Sequence, residues 1–316
     1  MKANLTVALL VFNRPEPTAL VFDAVRRARP SRLLVVADGP RSDRPGETER
    51  VAAVRRVVEE VDWPCAVEYN YAERNLGCRD RVASGLSWVF DRAEEAIILE
   101  DDCLPDATFF SYCAELLDRY RDDERVGTIS GCAFHPHPER VRGDYYASRF
   151  HHIWGWATWR RAWRGYDASM HEWPAFRERE LRRVFPVWQE RWYWRRLLDR
   201  TYSGALNTWD VQWFFHNLRA RRLSILPRTN LITNIGAGPD ATHTVADSEW
   251  LGRPRGSVTG PLRAPGRLEP DATNDAYVSR RMFSFGAVVA AARRRVRAST
   301  AGRLQASAIR AAVAQG

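Results

Sequence analysis

The sequence predicts an α/β protein built on a doubly wound, mostly parallel sheet with helices on both faces. Short apolar runs in the first half indicate strands, and polar stretches of helix length connect them. Apolar runs without strict alternation are typical of strands covered on both faces, and helix-length connections imply right-handed crossovers. The runs are Leu5–Phe12, Leu33–Ala37, Ala66–Tyr71, Ala96–Leu99 and Val126–Ser130, and the connections are Thr18–Ala28, Glu47–Glu60, Arg79–Arg92 and Ala107–Tyr120.

Polar residues follow four of these runs directly: Asn13–Arg14, Asp38–Gly39, Asn75–Gly77 and Glu100–Asp102. In open α/β sheets, ligands bind beyond the carboxyl ends of the strands. We therefore expect these four groups to lie together at one edge of the sheet and to form the functional site.

The second half has a different composition. Ten of the 13 tryptophans lie between Trp154 and Trp213, mixed with arginines in segments of helix length, which predicts an aromatic-rich helical region. Gly and Pro are frequent between residues 236 and 272, which is typical of loop. We divide the chain into an α/β half at 1–145, a second half of the same domain at 146–250, a loop-rich segment at 251–286 and a basic tail of helix-forming composition at 287–316.

The net charge of +9 is concentrated in the tail. Residues 287–316 contain six arginines and no acid, so two thirds of the excess lies there. A nucleic-acid-binding body should instead spread its charge over a folded face. The mixture of Arg and Trp over residues 160–222 also contains acids, which indicates ion-paired helix surfaces. We expect no nucleic-acid partner and a weak membrane-surface contact through the tail.

The termini and cysteines indicate a cytoplasmic protein. No apolar run approaches the roughly 20 residues that span a bilayer. The short run Leu5–Phe12 lacks a following cleavage site, so we interpret it as a buried strand instead of a signal peptide. The five cysteines are widely spaced without a CxxC pair, which predicts neither a disulfide framework nor a thiolate zinc site.

Three consecutive carboxylates, Glu100, Asp101 and Asp102, follow the apolar run Ala96–Leu99. Adjacent anions repel one another and generally need a compensating cation. Hard oxygen ligands suit Mg²⁺ or Mn²⁺, which keep coordination positions for phosphate oxygens. The alternative is a solvated acidic turn in which Asp102 or Asp106 caps the next helix.

These motifs together resemble the nucleotide-sugar half of GT-A glycosyltransferases. The strand ends VFNRPEP and VVADGPR, the N-L-G loop and the strand that runs into EDD carry the resemblance, which extends from Thr6 to Thr244. It is closest to a bacterial group of family-2-like, or hemolytic-protein-like, sugar transferases. The resemblance implies a nucleotide-diphosphate sugar donor, a hydroxyl-bearing acceptor (a glycan, a lipid-linked glycan or a small molecule) and Mn²⁺ or Mg²⁺ at the position of the DXD motif.

The resemblance also implies roles for the strand-end residues in binding the donor. Residues 1–145 become the donor-binding half, and 146–250 the acceptor and catalytic half. The alternatives are that Asp38 only stabilises a turn and that Asn75 belongs to a loop that binds nothing. The implied donor-binding residues are Asn13 and Arg14 at the base and diphosphate, Asp38 near the base or ribose, Asn75, Gly77 and Arg79 around the nucleotide, and Glu100 and Asp101 beside the metal ligand Asp102.

The segment from His151 to Trp159 provides a second motif. In GT-A enzymes a glycine-containing loop after the DXD strand lies against the donor sugar, and Gly155 is similar in position, with Trp156 beside it. Tryptophans stack on sugar rings. The alternative is that these aromatics belong to the core. Their dense spacing predicts that some of the indoles are exposed in the site.

Asp210 and His243 complete the implied site. Thr208 is a plausible N-cap for a helix over Trp209–Leu218, which would place Asp210 in the first turn. The superfamily carries its catalytic carboxylate there in an xED motif, although Trp209 stands where a glutamate is usual. Glu172 is the rival base. His243 is similar to a histidine that closes on the metal or diphosphate, and a solvated loop histidine is the alternative.

The predicted reaction is inverting, metal-dependent glycosyl transfer with Asp210 as the base and Asp102 and His243 at the metal. A sugar-1-phosphate nucleotidyltransferase would share the sheet, but the residues after the first strand, Asn13 to Pro17, do not form the glycine-rich loop that it needs. A non-catalytic carbohydrate-binding or membrane-surface module is the competing interpretation from another class.

Overall fold

A central sheet of eight strands organises the molecule. The computed structural model describes residues 5–135, 137–236 and 252–289. The strand order is β3-β2-β1-β4-β8-β6-β9-β7, and only β8 and β7 run against the others. The strands are β1 (Thr6–Val11), β2 (Arg32–Ala37), β3 (Ala66–Tyr71), β4 (Glu95–Glu100), β6 (Val126–Ser130), β7 (Tyr145–Ser148), β8 (Trp156–Trp159) and β9 (Leu223–Pro227). The prediction of an α/β fold with a mostly parallel sheet is confirmed.

Helices flank the sheet and connect its parallel strands. In the first half, all four predicted helices are present within one or two residues of their expected bounds at most ends. The structure contains α1 (Pro15–Ala28), α2 (Glu47–Glu59), α3 (Gly77–Arg92), α4 (Phe109–Arg119), α5 (Arg160–Trp163), α6 (Trp173–Arg179), α7 (Leu181–Val184), α8 (Trp188–Tyr202), α9 (Asp210–Arg219) and α10 (Ala272–Met282), and a 3₁₀ turn at Pro138–Arg140.

The parallel register brings the strand ends together. Val11 of β1 pairs with Ala37 of β2, and Leu10 pairs with Glu100 of β4. A short antiparallel pair, β5 (Cys103–Pro105) with β10 (Ile232–Asn234), lies just beyond β4. The loops after β1, β2 and β4 therefore leave the sheet at one edge, as the sequence predicts.

The strand β8 lies between β4 and β6, so the two halves of the chain share one sheet. All four of its residues are buried. The Trp156 ring stacks on Trp209 with centroids 5.6 Å apart and lies 5.4 Å from Trp213. Trp156 of β8 thus packs in the core against two tryptophans at the start of α9, Trp209 and Trp213.

The helix α10 lies within the segment that the sequence predicts to be loop-rich. Asp271 accepts hydrogen bonds from the backbone N–H groups of Thr273 and Asn274, which is a regular N-cap. Asp275 accepts one from the Ser148 hydroxyl at 2.5 Å and one from the Arg149 N–H at 3.1 Å, so α10 is attached to β7. In the described part of the chain, no helix is long and apolar enough to cross a membrane.

Candidate active site

Three carboxylates and one guanidinium lie where β4 ends. Asp101 and Asp102 are 3 % and 6 % exposed, and Arg14 from the β1–α1 loop forms ion pairs with both, at 3.1 Å from Asp102. The Phe12 N–H also donates to Asp101 at 3.3 Å. Arg14, which the sequence assigns to the donor diphosphate, therefore pairs with the acidic residues in this structure.

Electrostatic repulsion within this group is large. Burial, followed by the charges of Asp102, Asp101 and Asp210, raises the pKa of Glu100 well above its ordinary value. Burial also raises the pKa of Asp101 to about 6, although Arg14 opposes the shift. Oε1 of Glu100 is buried without a hydrogen-bond partner. The site thus holds more negative charge than Arg14 compensates.

Asp210 faces this group from the second half of the chain. It is the first residue of α9 and accepts a hydrogen bond from the Thr208 hydroxyl. Its position in the first helical turn agrees with the prediction, but Thr208 bonds to Asp210 and provides no side-chain cap. Burial, followed by the charges of Glu100, Asp210 and Asp38, raises the pKa of Cys78 to about 12, so that thiol lies among the three carboxylates and is neutral.

Asn207 connects the loop before α9 to the start of α3. Its Oδ1 accepts a hydrogen bond from the Arg79 N–H at 2.9 Å, which satisfies a free donor at the helix N-terminus. The Arg79 side chain pairs with Asp80 at 2.7 Å. The backbone of Arg79 helps to position the Asp210 loop, and the nucleotide contact expected of its side chain stays a prediction.

Asp38 connects the loop that follows β2 to the loop that follows β3 through hydrogen bonds. Its carboxylate accepts hydrogen bonds from the N–H groups of Gly39, Leu76 and Gly77 and from Nδ2 of Asn75, at 2.8 to 3.1 Å. Burial raises its pKa, and the backbone N–H groups oppose that shift. The ribose role implied for Asp38 needs a correction, because its oxygens are already engaged within the protein and Asn75 is engaged with them.

Asn13 is held by a buried acid that the sequence analysis does not identify. Its Nδ2 donates to Oε1 of Glu47 at 2.8 Å, and Glu47 is 0 % exposed. Burial by itself would raise the pKa of Glu47, but hydrogen bonds, chiefly those from Arg41, lower that pKa to about 2. Glu47 begins α2 and is separated from β2 by a loop, so the rule that identifies polar residues directly after a strand does not include it.

The prediction for Trp156 needs correction, and the donor contact expected of Gly155 stays a prediction. Trp156 is 0 % exposed, so its indole offers no stacking surface to a sugar. Gly155 has φ of +59°, and an added Cβ would lie 2.7 Å from Cγ1 of Ile232. Glycine is required there by backbone conformation and by close packing on β10. Trp154 is half-buried and lines the cavity described next, and the exposure of these indoles in a sugar-binding site stays a prediction.

A cavity of about 200 Å³ opens beside Asp210. Its walls come from α8, α9, the residues that follow α10 and the 150–154 loop, and most of them are aromatic or aliphatic. Among the described lining residues, Asp210 is the only carboxylate. The lining residues are Phe134, Phe150, His151, His152, Ile153, Trp154, Tyr193, Trp194, Leu197, Asp210, Val211, Phe214, Met282 and Phe283.

Glu172, the rival base, lies elsewhere. Its side chain is 63 % exposed and forms an ion pair with Arg219, the last residue of α9, whereas Asp210 is the first. The helix therefore separates the two carboxylates by its full length. His243 lies outside the described residues. Gly236, which precedes that gap, packs directly on the Asp102 carboxylate, and the Ile235 N–H donates to the Asp102 carbonyl at 2.8 Å.

The donor set at the end of β4 fits a hard divalent cation with few protein ligands. Within the described residues, no group of three or more His, Cys, Asp and Glu side chains is arranged to hold a metal ion. Mg²⁺ and Mn²⁺ nevertheless bind through one or two carboxylates when phosphate oxygens and water complete the shell. Asp102 and the unpartnered oxygen of Glu100 provide such a pair.

Comparison with known proteins does not identify a family for this chain. No family model matches the chain, and no curated protein matches it either. Among solved structures, the chain is similar to a mannosyltransferase from Pyrobaculum calidifontis in complex with GDP-Man and Mn²⁺, with 20% identity, a TM-score of 0.34 and coverage of 51% of this chain and 46% of that one. The match thus spans less than half of that mannosyltransferase.

Two further solved structures are similar to the chain at lower sequence identity. HddC from Yersinia pseudotuberculosis has 8% identity, a TM-score of 0.31 and coverage of 50% of this chain and 77% of its own. An apo UDP-glucose pyrophosphorylase has 8% identity, a TM-score of 0.33 and coverage of 70% and 90%. At these identities and scores, the function must be argued from the site itself.

Proposed function

We propose that the protein is a metal-dependent glycosyltransferase that moves a sugar from a nucleotide-diphosphate donor to a hydroxyl acceptor. The observation that carries the proposal is the convergence of Glu100, Asp101 and Asp102 with Asp210 at the carboxyl edge of the sheet. Three of these carboxylates come from the first half and the fourth from α9. Such an arrangement supplies both a cation site and a separate base.

The cation site would consist of Asp102 and Glu100. Asp101 would support them, since the Phe12 N–H and Arg14 engage it; Arg14 also pairs with Asp102, so a bound ion would share or displace that contact. Mn²⁺ or Mg²⁺ bound there would neutralise the diphosphate of the leaving nucleotide. Arg14 lies on the same carboxylates and adds a second positive charge on the donor side. His243 remains a predicted further ligand.

Asp210 would accept the proton of the attacking hydroxyl. It lies near Glu100, as its contribution to the pKa of that residue requires, and it also forms one wall of the cavity. Donor and acceptor would therefore meet at its carboxylate. Attack from the face opposite the leaving diphosphate is a single displacement and inverts the anomeric carbon.

The aromatic cavity would receive the acceptor. Trp154 and Tyr193 offer ring faces that stack on the C–H face of a sugar or on an apolar ring. The cavity, of about 200 Å³ and open on one side, has room for one ring. We infer that the acceptor places a terminal ring beside Asp210.

The test is nucleotide-sugar turnover with Mn²⁺ present, with products identified by mass spectrometry. We expect release of nucleoside diphosphate and loss of that release with EDTA. Release of pyrophosphate from a nucleoside triphosphate and a sugar 1-phosphate would indicate a nucleotidyltransferase instead, and binding without turnover of any donor would indicate a carbohydrate-binding module.

Metal binding has its own measurement. Mn²⁺ binding followed by electron paramagnetic resonance should weaken at least tenfold in Asp102→Asn, because one of two carboxylate ligands is lost. The exposed acid Asp91 provides the matched control, and Asp91→Asn should bind Mn²⁺ as the unmodified protein does. Equal Mn²⁺ affinity in both variants would refute the cation site.

A further inference from the structure

Four exposed apolar side chains form a patch at the start of α8 and beyond the end of α10. Val187 and Trp188 are each 55 % exposed, and Phe285 and Val288 are 40 % and 41 % exposed. The Trp188 and Phe285 rings contact each other with centroids 6.1 Å apart. Residues 285–289 are helical, which places Phe285 and Val288 on one face. We call these four residues the Trp188 patch.

The patch is anchored to the folded domain. Phe285 packs edge-on against Trp192 with centroids 5.0 Å apart, and Trp192 belongs to α8. The neighbouring residue Trp194 is 3 % exposed and stacks on Phe214 at 3.9 Å. The rings of the patch are thus held in place by a rigid aromatic core and keep one face outward.

Exposed arginines lie beside the patch. Arg195 and Arg196 are exposed on α8; Arg195 lies 3.6 Å from Asp199, and Arg196 lies over the Trp192 ring at 5.8 Å. Glu190, the acid nearest to Trp188 on α8, is 3 % exposed and paired with Arg149 at 2.7 Å. Residues 280–289 contain two arginines and no acid, and the six arginines further along the chain lie outside the described residues.

We propose that the Trp188 patch docks on an anionic membrane surface. Exposed indole and phenyl rings lie favourably at the level of lipid headgroups, and arginines beside them pair with headgroup phosphates. A second copy of this chain would place arginines against arginines, which disfavours self-association through this face. The inference does not depend on the glycosyl-transfer chemistry, since it rests on a different surface.

The experiment is flotation of the full chain with vesicles of phosphatidylcholine alone and of phosphatidylcholine mixed with phosphatidylglycerol. We expect binding only to the mixed vesicles and a marked decrease at high salt. The double variant Trp188→Ser, Phe285→Ser should bind roughly tenfold or more weakly, because two exposed rings lose their insertion into the interface.

A matched control replaces an exposed apolar residue elsewhere. Leu20→Ser removes a side chain of α1 that is 54 % exposed, and this variant should bind vesicles within about twofold of the unmodified protein. Circular dichroism verifies that all variants fold. A chain that ends at residue 289 keeps the patch and should retain part of its binding to the mixed vesicles.

Two outcomes would overturn the proposal. The first is unchanged vesicle binding by the double variant, which would assign any binding to residues 290–316 alone. The second is a dimer in light scattering that the double variant converts to a monomer, without any effect of lipid. In that case the patch would be an interface between copies of the chain.

Discussion

Replacing Asp210 with asparagine tests the proposed mechanism most directly. Asparagine keeps the size of the side chain and an oxygen that accepts the Thr208 hydroxyl, so the loop held by Asn207 should not move. What it removes is the ability to take a proton. The variant therefore separates the chemistry of the carboxylate from its place in the structure.

The expected loss can be estimated from the position of the side chain. A positioned general base contributes roughly 10²- to 10⁴-fold, equivalent to about 3–5 kcal/mol of activation free energy. Donor affinity should change little, because Arg14 and Asp102 keep their contacts. Any change in donor affinity should be a modest increase, since the variant removes one negative charge that acts on Glu100.

The assay is steady-state transfer with saturating donor and a parallel titration of donor binding. Glu172→Gln is the control, because Glu172 is exposed and paired with Arg219 on the far side of α9. We expect Asp210→Asn to lower kcat and Glu172→Gln to leave it unchanged. A normal rate in Asp210→Asn combined with a loss in Glu172→Gln would show that the base and the alignment of this region are wrong.

Three further predictions concern packing, titration and the Thr208 contact. Gly155→Ala should lower the free energy of unfolding, measured in urea, by about 2–5 kcal/mol, because the new side chain would have a strained φ and would overlap with Ile232. Gly204 has φ of +76° but open space around it, so Gly204→Ala should lower that free energy by only about 1–2 kcal/mol. Equal losses in the two variants would contradict the packing account. Burial raises the pKa of Asp275 from 3.8 to about 6, so between these pH values the folded state keeps a proton that the unfolded state loses. The free energy of unfolding should therefore fall by at most about 3 kcal/mol as the pH rises from about 4 to 6. Asp275→Asn should flatten this pH dependence, and an unchanged slope would exclude Asp275 as its source. Thr208→Val should lower kcat roughly 10- to 100-fold without weakening donor binding, by removing a hydrogen bond to a charged group, and unchanged kcat would show that Asp210 does not depend on it.

The strands β1, β2, β4 and β6 were predictable because their burial leaves a plain signal. Runs such as Leu33–Ala37 are apolar throughout, and the structure places Arg32–Ala37 in β2 with five consecutive buried residues. Polar residues after each strand then followed from the geometry of parallel sheets. The position of Glu100, Asp101 and Asp102 at the sheet edge needed no further information.

The individual roles were harder to predict because they depend on which side chains meet. Nothing in the sequence shows that Asp38 receives two N–H groups from the loop after β3, or that Asn13 pairs with Glu47. The strand β8 was missed for a different reason. It has only four residues, Trp156–Trp159, and a tryptophan-rich segment among arginines has the same composition in a helix as in a strand.

The place of β8 also has a consequence for how the chain folds as it is synthesised. When residues 1–145 have left the ribosome, β4 has its partner β1 but lacks β8, which begins at Trp156. Its outer edge then presents free N–H and C=O groups, which recruit strands from other chains. Translation pauses or a stop codon between Glu100 and Trp156 should therefore yield aggregation-prone fragments that depend on chaperones, whereas the same interruption after Trp159 would leave β4 protected on both sides.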